Sequence, residues 1–239
     1  MKIFGFELEF NHDSIRKKIE ECCQKQEKGY ACIVDGPSLV RSHTNPDFLQ
    51  VLQGALFNSC DGGSVAVMAG RLHKQKLKAF TGPEIFAEYI ERSEYCQILM
   101  GNTEEMYRKI ISKVPEGKKY LHHIPLPFCS VDQFDYEDIA QQIERLNADI
   151  IWVSLGAPKQ EFFMQRLLPY LNHGIMLGIG AAFSFYLGEL KDYSFRIGEY
   201  RFNWIYRLFT EPKKQFARVS TIFRYYPTIY FNEKRRLQK

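Results

Sequence analysis

Asp149 to Gly188, DIIWVSLGAPKQEFFMQRLLPYLNHGIMLGIGAAFSFYLG, sets two apolar stretches directly before two loops of small and polar residues, each leading into a helical pattern. Ile150 to Leu155 is short, apolar and branched, which predicts a buried parallel strand. Gly156-Ala157-Pro158 breaks it, and Lys159-Gln160-Glu161 opens a helix. The pattern repeats with a strand over Ile175 to Ile179, the turn Gly180-Ala181-Ala182, and a helix beginning near Phe183. In an open parallel sheet, ligands bind beyond the carboxyl ends of the strands, where helix N-termini present N–H groups and partial positive charge to phosphate. Lys159 and Gln160 at such a mouth point to a phosphorylated ligand.

The same alternation runs upstream. Residues 13 to 27 form a predicted helix with Asp13 as its N-cap and Ile15, Ile19 and Cys22 on one face. Tyr30 to Val34 is a predicted strand, punctuated by Asp35-Gly36-Pro37. Asn45 to Asn58 reads as a helix with Phe48, Leu49, Leu52 and Leu56 inward. A tight loop, Ser59 to Ser64, is expected next, then a strand over Val65 to Met68. Thr81-Gly82-Pro83-Glu84 caps a helix to about Arg92, and Gln97 to Met100 is a strand ending in Gly101-Asn102-Thr103. A helix over Tyr107 to Val114, a strand over Lys119 to His123 and a helix from Asp135 to Asn147 complete the series. The expected architecture is α/β: a mostly parallel, Rossmann-like sheet with flanking helices.

Bulk properties narrow the class less. With 239 residues, 45% apolar and 25% charged, the chain has the composition of a soluble globule. The net charge of +4 is unevenly spread. From Arg196 onward eleven basic residues face three acidic ones, an excess of eight, which leaves the first 195 residues at about −4. A body over residues 1–195 and a basic, aromatic-rich helical appendage over 196–239 are therefore expected. The amino end, MKIFGFELEF, has no long apolar run, so neither a signal peptide nor a spanning helix is expected and the chain is placed in the cytoplasm. Six cysteines show no CxxC spacing and read as reduced fillers. The six histidines show no ligand spacing and no DxD pair occurs, so no metal and no cofactor are expected. GxGxxG and GxxxxGK[ST] are both absent, which argues against nicotinamide enzymes and P-loop NTPases.

Asp61 lies in a glycine-flanked turn, where backbone can approach a ligand and a carboxylate can act as general base on a hydroxyl; an Asp-Gly pair also simply makes turns. Asn102 can hydrogen-bond a diphosphate or ribose, or can merely help cap a helix. Trp152 and Trp204 read as core or hinge packing, and His122-His123 as cover for a sheet edge.

Taken with Asp61, the two loops resemble a known family, the WecG/TagA/CpsF bacterial glycosyltransferases. NPDFLQVLQGALFNSCDGGSVAV resembles the family's helix followed by a (P/A)DG turn, and GAPKQE its G-x-PKQE loop. GIGAAFSFYLGELK is similar to its GVGG-x-F-D-x-x-x-G-x-x-K segment, and WIYRLFTEPKK to its W-x-YRL-x-x-EP-x-R run. The resemblance covers nearly the whole chain. It implies an inverting, metal-independent transferase that moves a sugar from a UDP-sugar, such as UDP-N-acetylmannosamine, to a polyprenyl-diphosphate-linked sugar at the inner membrane face in cell-surface polysaccharide assembly. The family's catalytic aspartate falls on Asp61 and its PKQE glutamine on Gln160, giving these two as catalytic residues. Asp35, Asn102, Lys159 and Ser184 are the implied substrate-binding positions of the body. In the appendage, Arg207, Lys214 and Arg218 are implied to assist the leaving group or hold the lipid diphosphate. This chain departs from the pattern at Ala79, where the family has arginine, and at Ser184, where it has aspartate.

Basic residues interleaved with Phe216, Phe223, Tyr225, Tyr226, Tyr230 and Phe231 suit an anionic headgroup region, so peripheral membrane association through the appendage is expected. No nucleic-acid recognition motif accompanies this basic segment. Assembly into a homo-oligomer is compatible with the sequence. A nucleotide-sugar-binding relative that has lost catalysis, and a nucleotide-sugar enzyme of another reaction class, stay open as rivals.

Overall fold

The computed structural model describes residues 1–190, 196–197, 200–201 and 212–238. Six parallel strands build the central sheet: β3 (Lys28–Val34), β4 (Phe57–Cys60), β5 (Gln97–Met100), β6 (Leu121–Ile124), β7 (Ile150–Val153) and β8 (Gly174–Gly178), in the order β4-β3-β8-β7-β5-β6. Two small antiparallel pairs lie outside it: β1 (Lys2–Ile3) with β2 (Phe6–Glu7), and β9 (Arg196–Ile197) with β10 (Tyr200–Arg201). The α/β expectation therefore holds, and the reason is visible in the strands. In β7 alternate residues enter opposite cores, Ile151 and Val153 on one face, Ile150 and Trp152 on the other, so the whole strand is apolar.

Helices cover both faces. The first face holds α2 (Gly36–Thr44), α3 (Pro46–Gly54), α4 (Gly63–His73), α7 (Tyr136–Leu146) and α8 (Lys159–Leu167), which pack through residues such as Leu39, Phe48, Val65, Ile143 and Phe163. The second holds α1 (His12–Gln24), α5 (Gly82–Tyr89), α6 (Glu104–Lys113) and α9 (Ala182–Leu187), through Ile19, Phe86, Ile110 and Phe183. Trp152 is fully buried, packs edge-on against Phe86 and donates from Nε1 to Gln97 Oε1 at 2.8 Å, which is the core role expected of it. Trp204 lies outside the described residues. All six cysteines are free thiols, and burial pushes Cys22 up to about 11 and Cys23 up to about 12.

Two local expectations are overturned. Val65 to Met68 belongs to helix α4, not to a strand, because Val65, Ala66, Met68 and Ala69 recur at helical spacing on the core side. The strand is instead Phe57-Asn58-Ser59-Cys60, which the helix predicted over Asn45 to Asn58 had absorbed; α3 stops at Gly54 and Leu56 is 41% exposed. Two of those four residues are polar yet buried. Asn58 Nδ2 donates to the carbonyls of Glu7 and Leu52, both at 2.8 Å, and Ser59 Oγ donates to the Phe80 carbonyl at 2.6 Å. Asp35-Gly36-Pro37 does more than end β3, since Asp35 accepts from the Ser38 N–H at 2.9 Å and starts α2 with proline in its first turn. Elsewhere boundaries move by a few residues, and Asn11 rather than Asp13 caps α1.

A last helix, α10 (Pro212–Arg236), packs on α2 and α4. Its Ile229, 2% exposed, joins the first-face core, and Arg236 donates to the Lys2 carbonyl at 3.1 Å.

Candidate active site

The carboxyl edge of the sheet gathers most of the residues expected to form a site. Reading across the strand order, Asp61 follows β4, Asp35 follows β3, Gly180 lies just beyond β8, the Ser154 to Pro158 loop leaves β7 and Asn102 follows β5. Neighbouring strands β5 and β7 send their helices to opposite faces, α6 to the second and α8 to the first. That divergence opens the crevice in which doubly wound sheets take ligands.

Asp61 is fixed from two directions. Its N–H donates to the Val34 carbonyl at 3.0 Å, and its Oδ1 accepts from the Gly82 N–H at 3.2 Å. Gly82 is the first residue of α5, so the carboxylate sits at a helix N-terminus, where the dipole favours negative charge. Thr81 and Glu84 close a capping box beneath it: Glu84 Oε2 accepts from the Thr81 N–H at 2.9 Å and from the Thr81 hydroxyl at 2.8 Å. Asp35 stands beside Asp61, since a Cβ added to Gly62 would lie 3.5 Å from the Asp35 Cα and 3.4 Å from the Gly36 nitrogen.

Tyr226 of α10 packs beside Asp35, against the segments that follow β3 and β4. Its hydroxyl lies 3.0 Å from Ser64 Oγ, and a Cβ on Gly36 would come within 2.7 Å of that hydroxyl and 2.9 Å of Ile222 Cδ1. Glycine at position 36 is therefore what lets the last helix touch the Asp35–Asp61 edge. Burial raises the Tyr226 phenol, so it acts there as a neutral hydroxyl.

Gln160 binds the two glycine loops together. Only 3% exposed, it accepts on Oε1 from the N–H of Gly156 at 3.2 Å and from that of Gly180 at 3.1 Å, and its Nε2 donates to Glu161 Oε1 at 3.0 Å. Ser154 Oγ adds a further tie to the Gly180 carbonyl at 2.5 Å. Glu161, which sequence reasoning treated only as a helix-opening residue, is 1% exposed, and its Oε2 has no partner among the described residues. Burial raises its carboxyl from 4.5 to about 7, with Asp35 adding to the rise. The linkage follows in sign: between those two values the folded protein binds more protons than the unfolded chain, so stability falls as pH rises through that window. Glu161→Gln removes this slope. In urea titrations at pH 5 and pH 8, the variant is expected to gain on the parent protein by about 3 kcal/mol across the window.

The remaining expected site residues divide. Lys159 is turned away from the glycine loops: its ammonium donates to the Cys129 carbonyl and lies 5.0 Å from the Phe134 ring centre. Ser184 is half-buried on α9 at the carboxyl edge, and its carbonyl accepts from the N–H groups of Glu189 and Leu190 where that helix ends. Ala79 presents its carbonyl 3.2 Å from His12 Nε2. His123 lies on β6, the edge strand, with Nε2 3.2 Å from the Asn102 carbonyl and Nδ1 3.0 Å from Glu104 Oε2. Arg207 and the side chains of Lys214 and Arg218 lie outside the described residues.

A sequence model of the Glycosyl transferase WecG/TagA/CpsF family matches residues 1–239. Among curated relatives, a protein of Bacillus spizizenii is 23% identical over 214 residues, spanning 87% of this chain and 82% of its own length. One of Bacillus subtilis is 26% identical over 192 residues, spanning 79% and 73%. One of Staphylococcus aureus is 23% identical over 192 residues, spanning 76% and 72%. Each of the three is named N-acetylglucosaminyldiphosphoundecaprenol N-acetyl-beta-D-mannosaminyltransferase. With the family model matched from end to end, this chain belongs to the WecG/TagA/CpsF family of glycosyltransferases.

Proposed function

We propose that the protein transfers an N-acetylhexosamine, of the N-acetylmannosamine type named for its relatives, from a UDP-sugar to a polyprenyl-diphosphate-linked sugar with inversion at the anomeric carbon. The observation that carries the proposal is Asp61, a carboxylate held by the α5 N-terminus on the edge where the two glycine loops meet. In the proposed step an acceptor hydroxyl loses its proton to Asp61 as its oxygen attacks the anomeric carbon. The bond from that carbon to the donor's phosphate oxygen breaks, and UDP leaves with the electron pair. Asp35 completes the Asp61 side of the cleft, and Ser184 lines it from α9. Gln160 is a positioning residue, since both its oxygen and its nitrogen bind the protein. Gln160→Ala frees the loops by a fraction of an ångström or more, and about a 10²-fold loss of kcat with the fold retained is expected in steady-state assays. Arg207, Lys214 and Arg218 are proposed to neutralise the departing diphosphate.

The acceptor's lipid tail calls for a membrane surface. No helix among the described residues is long and apolar enough to cross a membrane. On α10, however, Phe223 is 74% and Phe231 56% exposed, near the cations Arg224, Lys234 and Arg235. This basic, aromatic side is proposed to rest on anionic headgroups. The decisive assay offers a panel of UDP-sugars with a synthetic polyprenyl-diphosphate-linked N-acetylglucosamine and measures UDP release. UDP-N-acetylhexosamines are expected to turn over, and failure of every UDP-sugar would overturn the assignment.

A further inference from the structure

Asn102 stands at the carboxyl edge with its whole side-chain amide unpaired among the described residues. Its side-chain nitrogen and oxygen are both shut off from solvent, and neither has a hydrogen-bond partner among the described residues. A buried amide left unpaired costs about 1–3 kcal/mol for each group, so its persistence calls for a partner that supplies both a donor and an acceptor. The backbone around it is tightly held. Gly101 has φ +79° and packs so closely on Ser154 that a Cβ would lie 2.8 Å from that carbonyl. The Asn102 carbonyl faces His123, whose ring stacks on Tyr107 at 5.2 Å, and the next residue, Thr103, caps α6 by accepting from the Met106 N–H at 3.2 Å. An amide on so fixed a loop, at the crevice where β5 and β7 diverge, is preorganised for a ligand.

We propose that Asn102 reads the imide edge of the donor's uracil, donating from Nδ2 to a ring carbonyl and accepting on Oδ1 from N3–H. This rests on the UDP-donor reading above. Chemistry selects the base. A primary amide offers its oxygen and one N–H side by side, so its bidentate partner must carry a donor and an acceptor on adjacent positions of one edge. Uracil does so. A phosphate has no donor and would leave Oδ1 unpaired. The acetamido group of an N-acetyl sugar is trans, with N–H and C=O on opposite sides, and meets the amide through only one of them. The neighbouring hydroxyls of the ribose and of the hexosamine are the other parts of the donor able to satisfy both atoms.

The test is a cycle between protein and ligand. Calorimetric affinities of UDP, N3-methyl-UDP and 2′-deoxy-UDP are measured for the parent protein and for Asn102→Ala, with Asn102→Asp as a variant of the same shape. In the parent, N3-methylation is expected to weaken binding about 10- to 100-fold, the range of a bidentate amide–base pair. In Asn102→Ala, UDP binding falls by a similar factor and the penalty for N3-methylation disappears. An equal N3-methyl penalty in parent and Asn102→Ala overturns base reading, as does coupling to the 2′-hydroxyl instead. Either result leaves UDP binding, and hence the donor assignment, intact. Absence of UDP binding by the parent overturns both.

Discussion

Asp61→Asn is expected to lower turnover by at least about 10²- to 10⁴-fold while leaving the fold and donor affinity in place. Asparagine keeps the shape and keeps an oxygen to accept from the Gly82 N–H, so the link between β4 and α5 persists. It loses the ability to take a proton. Without a base the acceptor hydroxyl must attack while still protonated, and positive charge builds on its oxygen as the new bond forms. Removing the base therefore acts on kcat and leaves ground-state binding unaffected. The measurement is UDP release at saturating donor and acceptor, with melting temperature and UDP affinity as controls. Parent-like turnover by Asp61→Asn would move the base elsewhere.

Gly101→Ala is expected to be among the most damaging single-methyl changes at this edge. Two costs combine. The φ of +79° is a left-handed conformation that penalises any side chain, and the added Cβ would stand 2.8 Å from both the carbonyl carbon and oxygen of Ser154. Backbone, unlike a flexible side-chain tip, gives way only by moving β5 and β7 apart. Ser154 also anchors the Gly180 loop, so the shift spreads through the crevice. A destabilisation of about 2–4 kcal/mol in urea is expected, together with weakened UDP binding. Gly156→Ala is the control: φ is +75°, yet no described atom lies within 4 Å of its new Cβ, so it bears the conformational cost alone, about 1 kcal/mol. Equal losses for the two variants would show that the contact with Ser154 does not matter.

Sequence alone carried the sheet and the edge that matters, because β7 and β8 are buried on both faces and leave unbroken apolar runs before their loops. Asn102 was legible as a loop residue because it follows β5 closely, and Asp61 because glycines flank it in a turn. Strand β4 was not legible, since Asn58 and Ser59 occupy core positions through hydrogen bonds to distant backbone that no local pattern announces. Nor was the buried state of Glu161. A carboxylate after a lysine and a glutamine reads as solvent-facing, and only the packing of α8 against the sheet shows that it points inward. Lys159 shows the converse. Its position at a helix start suggested phosphate, while the loop after β6 supplies a carbonyl and an aromatic face that draw the ammonium away.

The contact between Tyr226 and Ser64 joins residues 162 positions apart. All six strands of the parallel sheet, Asp61 and both glycine loops exist once Gly180 has been synthesised. Tyr226, which packs beside Asp35, arrives only later in translation. Order of synthesis thus sets Tyr226 apart from the sheet: a chain cut between those two points would hold all six strands and Asp61 but not the contact of Tyr226 with Ser64.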